Sequence, residues 1–176
     1  MGYRKSWLIG SIFIISDTIV LYGIFRLVVI LRNMLIPMLG GISVVWQVFA
    51  PLAQLGVLFG IVIFMIEGLY PGYGLTAVKE LQRMSKSVTL VFFFLAGVSY
   101  LNKSFQDFSR SVLLVSWLLA LDILPLSHFI LRNIISRFPW YGAPVVVFGD
   151  GVWAQQIVAS LKQVRRLGWY PTMVLP

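Results

Sequence analysis

Cysteine is absent from the 176 residues. That excludes disulfides, thiolate nucleophiles and Cys-type zinc or iron–sulfur sites. There is one histidine, His128, so a histidine metal cluster is excluded as well. Charge is scarce: 11% of residues are Asp, Glu, Lys or Arg, against about a quarter in an average soluble domain. Only six are acidic, and no two of those are adjacent. What replaces charge is apolar surface, at 59% of the residues. A soluble chain of this size cannot hide that much in one core, so lipid is part of its solvent. The net charge of +8 then reports membrane orientation rather than nucleic-acid binding.

Four apolar stretches are long enough to cross a bilayer, which takes roughly 20 helical residues. They run from Trp7 to about Leu31, from Val48 to about Tyr70, from Val88 to about Leu101, and from Ser111 to about Leu131. The third is short unless it begins near Met84, with Lys86 snorkelling to the interface. The first is too long for a signal peptide, contains Asp17 and Arg26, and lacks a small-residue cleavage site. Arg4 and Lys5 precede the first span, and Lys79, Arg83 and Lys86 separate the second from the third. Arg132, Arg137, Lys162, Arg165 and Arg166 follow the fourth, whereas the opposite side holds Arg32, Lys103 and Arg110. The positive-inside rule places both termini in the cytoplasm. Tyr3, Trp7, Tyr70, Tyr73, Tyr100, Trp140 and Tyr141 fall near span ends, as an aromatic belt would.

No internal repeat is visible. The one change of composition comes at Phe138-Pro139-Trp140-Tyr141-Gly142-Ala143-Pro144, a hinge. It divides a four-helix membrane region (1–138) from a segment (139–176) that reads strand, turn, helix, strand. The expected fold class is therefore an all-α membrane protein followed by an incomplete Rossmann-like βα(β) segment. Gly149-Asp150-Gly151 and Ala154 follow Val145–Phe148 in the order that places a phosphate at a helix N-terminus. Gly149 and Gly151 are the candidate nucleotide-binding positions. Two features oppose binding: Asp150 brings negative charge into the turn, and no acid follows it to hold a ribose. One βα unit also lacks the neighbouring strands of a parallel sheet. Gln163–Pro176 is expected to pack poorly.

Within the spans, Asp17 and Asp122 read either as a proton or ion relay between helices one and four or as hydrogen-bonded packing groups. With only two such acids, packing is favoured. Arg26 lies nine residues from Asp17, on the other helix face, and is placed to reach the outer interface. His128 lies near the cytoplasmic end of span four with no visible partner, and reads as interfacial. Ala53, Gly56 and Gly60 form a small-residue stripe that allows close helix approach, within the chain or in a dimer. Pro51 and Pro125 bound or kink their helices. After Pro71, Gly72 and Gly74, Thr76 is a plausible N-cap. Leu75, Val78, Leu81 and Met84 then recur every three residues beside Lys79, Arg83 and Lys86. That pattern describes a basic amphipathic helix at about 74–87 on the cytoplasmic leaflet.

Two stretches carry a resemblance: "EGLYPGYGLTAVKELQRMSKS" (67–87) and "FSRSVLLVSWLLALDILPLSHFILRNIISRFPWYGAPVVVFGDG" (108–151). With the four-span layout they resemble the N-terminal region of large polyprenyl-phosphate hexose-1-phosphate transferases, of the undecaprenyl-phosphate galactose phosphotransferase type. The resemblance implies a multipass protein of the bacterial inner membrane. Such enzymes pass a sugar 1-phosphate from a nucleotide sugar to undecaprenyl phosphate, which initiates O-antigen, capsule or exopolysaccharide synthesis. It further implies that the chain stops inside a Rossmann-like domain, before the catalytic module. That module would hold the Asp-Glu catalytic pair and the Mg²⁺ ligands; no catalytic or metal residue carries over to this chain. The expected role is a non-catalytic anchor, inactive alone and without a cofactor. Its partners would be the bilayer, a separately encoded catalytic module or a second copy, and not nucleic acid. The alternative is a stand-alone multipass protein: a proton-linked carrier subunit using Asp17 and Asp122, or a membrane-tethered nucleotide sensor using Gly149 and Gly151.

Overall fold

A computed structural model describes residues 2–39, 43–101, 110–138, 141–149, 151–163 and 167–175. Helix α1 spans Gly2–Leu39, α2 Trp46–Ile66, α3 Ala77–Leu101 and α4 Arg110–Ile135. Each contains a stretch long and apolar enough to cross a membrane. They pack as a four-helix bundle in which α1 and α3 each contact α2 and α4. The core is aliphatic and aromatic, centred on Phe25, Phe49, Leu52, Phe64, Val91 and Leu95. The lipid-facing sides keep large apolar side chains exposed, among them Ile19, Leu58, Phe93 and Leu118. A polar solvent would penalise that surface and a bilayer does not.

Several boundaries differ from the sequence reading, each for a local reason. Span two ends at Ile66 rather than Tyr70. Gly68 takes φ +68°, which stops the helix in a left-handed residue. The surface helix expected at about 74–87 is instead, from Ala77 on, the first part of α3, continuous with span three. No glycine or proline interrupts 77–96, so nothing breaks the helix at the membrane boundary. The three-residue stripe also misjudged its face. Val78 and Leu81 point outward, while Glu80, Met84, Ser87, Val88, Val91 and Leu95 point into the bundle. Thr76 does cap this helix: its hydroxyl accepts from Lys79 N–H at 3.4 Å. Span four runs one turn further than Leu131, which brings Arg132 inside α4 and buries it. Pro51 and Pro125 stand inside continuous helices.

Gly56 and Gly60 work within the chain. A Cβ on Gly56 would lie 2.8 Å from Leu95 Cδ1 and 3.2 Å from the Phe25 ring, so α1 and α3 both press on this one spot of α2.

Beyond the bundle, β1 (Ala143–Phe148), α5 (Gly151–Gln163) and β2 (Trp169–Leu175) form a two-stranded parallel sheet with a helical crossover. The register slips between Val145 and Val146, so that Thr172 is the extra residue of β2. Its hydroxyl donates to Val145 O at 3.2 Å. Within Gln163–Pro176, expected to pack poorly, Trp169–Leu175 forms β2 and Gly168 is buried against Tyr73 and Tyr141, while Trp169, Thr172 and Met173 stay exposed. Asp150, Trp140, Lys103, Arg165 and Arg166, weighed above, lie outside the described residues.

Candidate functional site: a buried charge cluster under the 67–76 loop

Four ionisable side chains meet at the end of the bundle nearest the sheet. Asp17 comes from α1, Glu80 from α3, and His128 and Arg132 from α4. Asp17, His128 and Arg132 are fully buried and Glu80 is 4% exposed. His128 and Arg132 are four residues apart, hence stacked on one helix face. Glu80 sits in the first turn of α3, where a carboxylate also suits the positive end of the helix dipole.

The geometry joins all four. His128 Nε2 lies 2.9 Å from both Oδ1 and Oδ2 of Asp17. Its Nδ1 lies 3.3 Å from Glu80 Oε1. Arg132 Nε and Nη2 reach the same Glu80 oxygen at 3.1 and 2.9 Å. A doubly protonated ring satisfies both carboxylates by donating at each nitrogen. The cluster then sums to zero charge, two carboxylates against a guanidinium and an imidazolium. That neutrality is what permits its burial. Phe13 covers it, with its ring 4.8 Å from His128 and 5.3 Å from the Arg132 guanidinium carbon.

The 67–76 loop is tied into this cluster twice. Tyr70 donates its hydroxyl to Asp17 Oδ2. Arg132 Nη1 donates to Gly72 O at 2.6 Å. Gly72 takes φ +66°, and a Cβ there would stand 2.5 Å from Arg132 Nη2, so only glycine lets the loop backbone come this close. Burial, and then the neighbouring Asp17 carboxylate, raise the Tyr70 phenol pKa above its ordinary value. The Tyr70–Pro71 peptide is cis. At the loop's start, Glu67 accepts from Lys86 Nζ at 3.0 Å and from Arg83 through its carbonyl at 2.8 Å.

The far side of the same loop carries the sheet. Gly74 N–H donates to Leu167 O at 2.8 Å, and Ala143 N–H donates to Gly168 O at 2.7 Å. Gly74 and Gly168, with φ +75° and +69°, let the Trp169 ring and the Tyr73 and Tyr141 rings close on the backbone. Tyr141 also packs with Ile9, Phe13 and Ile135. The cluster, the loop and the sheet are therefore stacked in contact.

Set against the sequence reading, the structure regroups the candidates. His128 is fully buried and paired with Asp17 and Glu80, not interfacial without a partner. Asp17 and Asp122 do not share a site: Asp122 is exposed on α4. The alternative of a relay joining them has no geometry here, because 122 and 128 face different sides of one helix; Asp17 fits the favoured reading of a hydrogen-bonded packing group, and the exposed Asp122 does not. Arg26 stacks over the Trp46 ring at 4.7 Å, beside the start of α2. Glu80, Arg132 and Tyr70 were missed. The available signals were one acid inside a cationic run (Glu80) and a His–Arg pair at i, i+4. Gly149 adopts φ +137° between β1 and α5, and a Cβ there would meet nothing within 4 Å. Gly151 opens α5. No group of three His, Cys, Asp or Glu placed to hold a metal occurs among the described residues.

Comparison with family models, with curated proteins and with solved structures finds no match to this chain.

Proposed function

We propose that this chain is a membrane scaffold, the non-catalytic anchoring part of an undecaprenyl-phosphate sugar-1-phosphate transferase system. Its four-helix bundle holds a Rossmann-like βαβ unit at the cytoplasmic face of a bacterial inner membrane. One observation supports the scaffold role above others. The 67–76 loop is fastened below by Tyr70 to Asp17 and by Gly72 to Arg132, and it binds Leu167 above through Gly74. The loop therefore transmits the position of the bundle to the sheet. The transferase assignment rests on the two stretches that carry the resemblance, 67–87 and 108–151. They supply the loop, Glu80, His128, Arg132 and β1.

The test incubates the purified chain in lipid with UDP-sugar, Mg²⁺ and undecaprenyl phosphate. No sugar phosphate should be transferred by the chain alone. Transfer should appear when a sugar-transferase catalytic module is added and bound. Turnover without the module, or no association with it, refutes the reading.

A second reading has its own observation. Asp17, His128 and Glu80 form a carboxylate–imidazole–carboxylate chain, which is the chemistry of a proton path. Proteoliposomes with an internal pH dye test it. A proton flux abolished by His128→Gln would favour the carrier over the scaffold.

A further inference from the structure

Lys79, Arg83 and Lys86 are exposed on α3 at spacings of four and three residues, which puts them on one face of the helix. Leu90 and Phe93 continue the same stripe at the next two steps, and both are exposed. The stripe changes from cationic to apolar between Lys86 and Leu90, about one helical turn. Beside its apolar part, the Phe59 ring of α2 stacks on Phe94 of α3 at 4.0 Å.

That change marks a depth in the bilayer. Residues 87–101 carry no charge and rise about 22 Å as a helix. This falls short of the roughly 30 Å of hydrocarbon, so Lys86 stands at the hydrocarbon edge. Helical side chains lean toward their own N-terminus. α3 enters the bilayer by its N-terminal end, so all three cations lean back toward the headgroups.

The protein neutralises them only in part. Glu67 accepts from Lys86 Nζ at 3.0 Å through its carboxylate and from Arg83 Nη1 at 2.8 Å through its carbonyl. The Lys79 ammonium makes no hydrogen bond or ion pair among the described residues. Glu80, the acid within this run, turns into the bundle and is held by His128 and Arg132. Three cations against the one Glu67 carboxylate leave two positive charges where water thins out. Most donors stay open, since a guanidinium has five N–H groups and an ammonium three. Glu67 takes one from Arg83 and one from Lys86, which also fixes both side chains in place before any ligand arrives.

We infer that this stripe binds one anionic phospholipid, with its phosphate on Lys79, Arg83 and Lys86 and an acyl chain along Leu90 and Phe93. A soluble anion would meet the cations alone. An acidic protein surface would stop at the headgroups. A lipid meets the charged and the apolar parts together, and their order along α3 is the order of its own headgroup and chain. This inference needs only membrane insertion and is independent of the transferase reading.

The test purifies the full chain in a neutral detergent and titrates it with phosphatidylglycerol or with phosphatidylcholine of the same acyl chains. Bound lipid is counted by native mass spectrometry. Phosphatidylglycerol should bind at least tenfold more tightly. Lys79→Gln and Lys86→Gln should each weaken it roughly fivefold, the factor for one basic residue near an anionic surface, and leave phosphatidylcholine unchanged. Arg137→Gln removes the same charge from an exposed site just past α4, off the stripe, and should have no effect. Glycerol phosphate in large excess should not displace the lipid. Equal binding of the two lipids overturns the inference. So does a loss in Arg137→Gln as large as that in Lys79→Gln, which would reduce the site to net charge. Displacement by glycerol phosphate overturns it too, because the site would then take a free phosphate. If Lys86→Gln disturbs folding through Glu67, Lys79→Gln decides alone, and parent-like binding by that variant sinks the proposal.

Discussion

Replacing Arg132 by methionine tests the buried cluster most directly. Methionine keeps the length and apolar stem of the side chain and removes the guanidinium. Glu80 then loses two of its cationic contacts, at 2.9 and 3.1 Å. Gly72 O loses its donor at 2.6 Å. The cluster carries an uncompensated negative charge in a fully enclosed site. Removing one member of a buried pair costs about 3–5 kcal/mol, because the other member stays buried and unbalanced. That corresponds to a folding constant lower by roughly 10²- to 10³-fold or more. The exposed pair of Lys86 and Glu67 is the internal control. The Lys86 side chain is 70% exposed, so Lys86→Met should cost about 0–1 kcal/mol. Both variants are measured by reversible unfolding in the same bilayer-mimicking micelle. A cycle with Glu80→Gln then separates pair from packing. The double variant should be more stable than the sum of the two single losses predicts, by about 0.5–3 kcal/mol. If Arg132→Met is no worse than Lys86→Met, or the cycle is additive, the cluster is not an energetic unit and does not fasten the 67–76 loop.

Three other outcomes follow from the same contacts. Gly168→Ala puts a Cβ 2.6 Å from Tyr73 Cδ1 at φ +69°, which costs about 1–2 kcal/mol in left-handed backbone alone. Hydrogen exchange at the Gly74 amide should accelerate roughly tenfold or more, while amides in the middle of α2 stay protected. Gly56→Val overpacks the Leu95–Phe25 contact and should lower bundle stability by about 1–3 kcal/mol. The raised Tyr70 pKa predicts a pH effect. An acid whose folded pKa is raised holds its proton in the native state after the unfolded chain has lost it. Stability from this group is full below about pH 10 and falls as pH rises beyond it, by up to about 1.4 kcal/mol per pH unit. Tyr70→Phe should remove one proton from that slope when denaturation is followed between neutral and alkaline pH.

The spans were legible because lipid imposes a simple rule: about 20 apolar residues, with charges at the ends. The strand–turn–helix–strand order after residue 142 was equally legible, from Val145–Phe148 and the flanking glycines. The ends of the elements were not. Whether Glu80 faces water or the bundle depends on where α3 starts and how it is rotated, and the basic residues around it pointed toward water. Arg132 read as a flanking charge because α4 seemed to end at Leu131. One more turn buries it. Asp17 and His128 are 111 residues apart and neither has a partner in its own helix. Their meeting is a property of bundle packing, which no local pattern encodes. Asp122 shows the converse. It and Asp17 are alike in sequence as acids inside apolar spans, but one is enclosed and the other faces outward.

That difference explains why the cluster is built from charges at all. A buried ionic network is weak evidence for stability, since apolar residues of equal volume commonly do as well. What it supplies is a penalty for every arrangement that leaves a member unpaired. Apolar packing would let the 67–76 loop rest on the bundle in several ways at similar energy. Arg132 accepts only a loop that brings Gly72 O within 2.6 Å, and Asp17 accepts only one that inserts the Tyr70 hydroxyl. Those two conditions fix the loop between its ends, and the opposite side of the same short turn offers Gly74 N–H to Leu167. The sheet's seat is thus selected by electrostatics inside the bundle, a few residues from where the sheet itself is held.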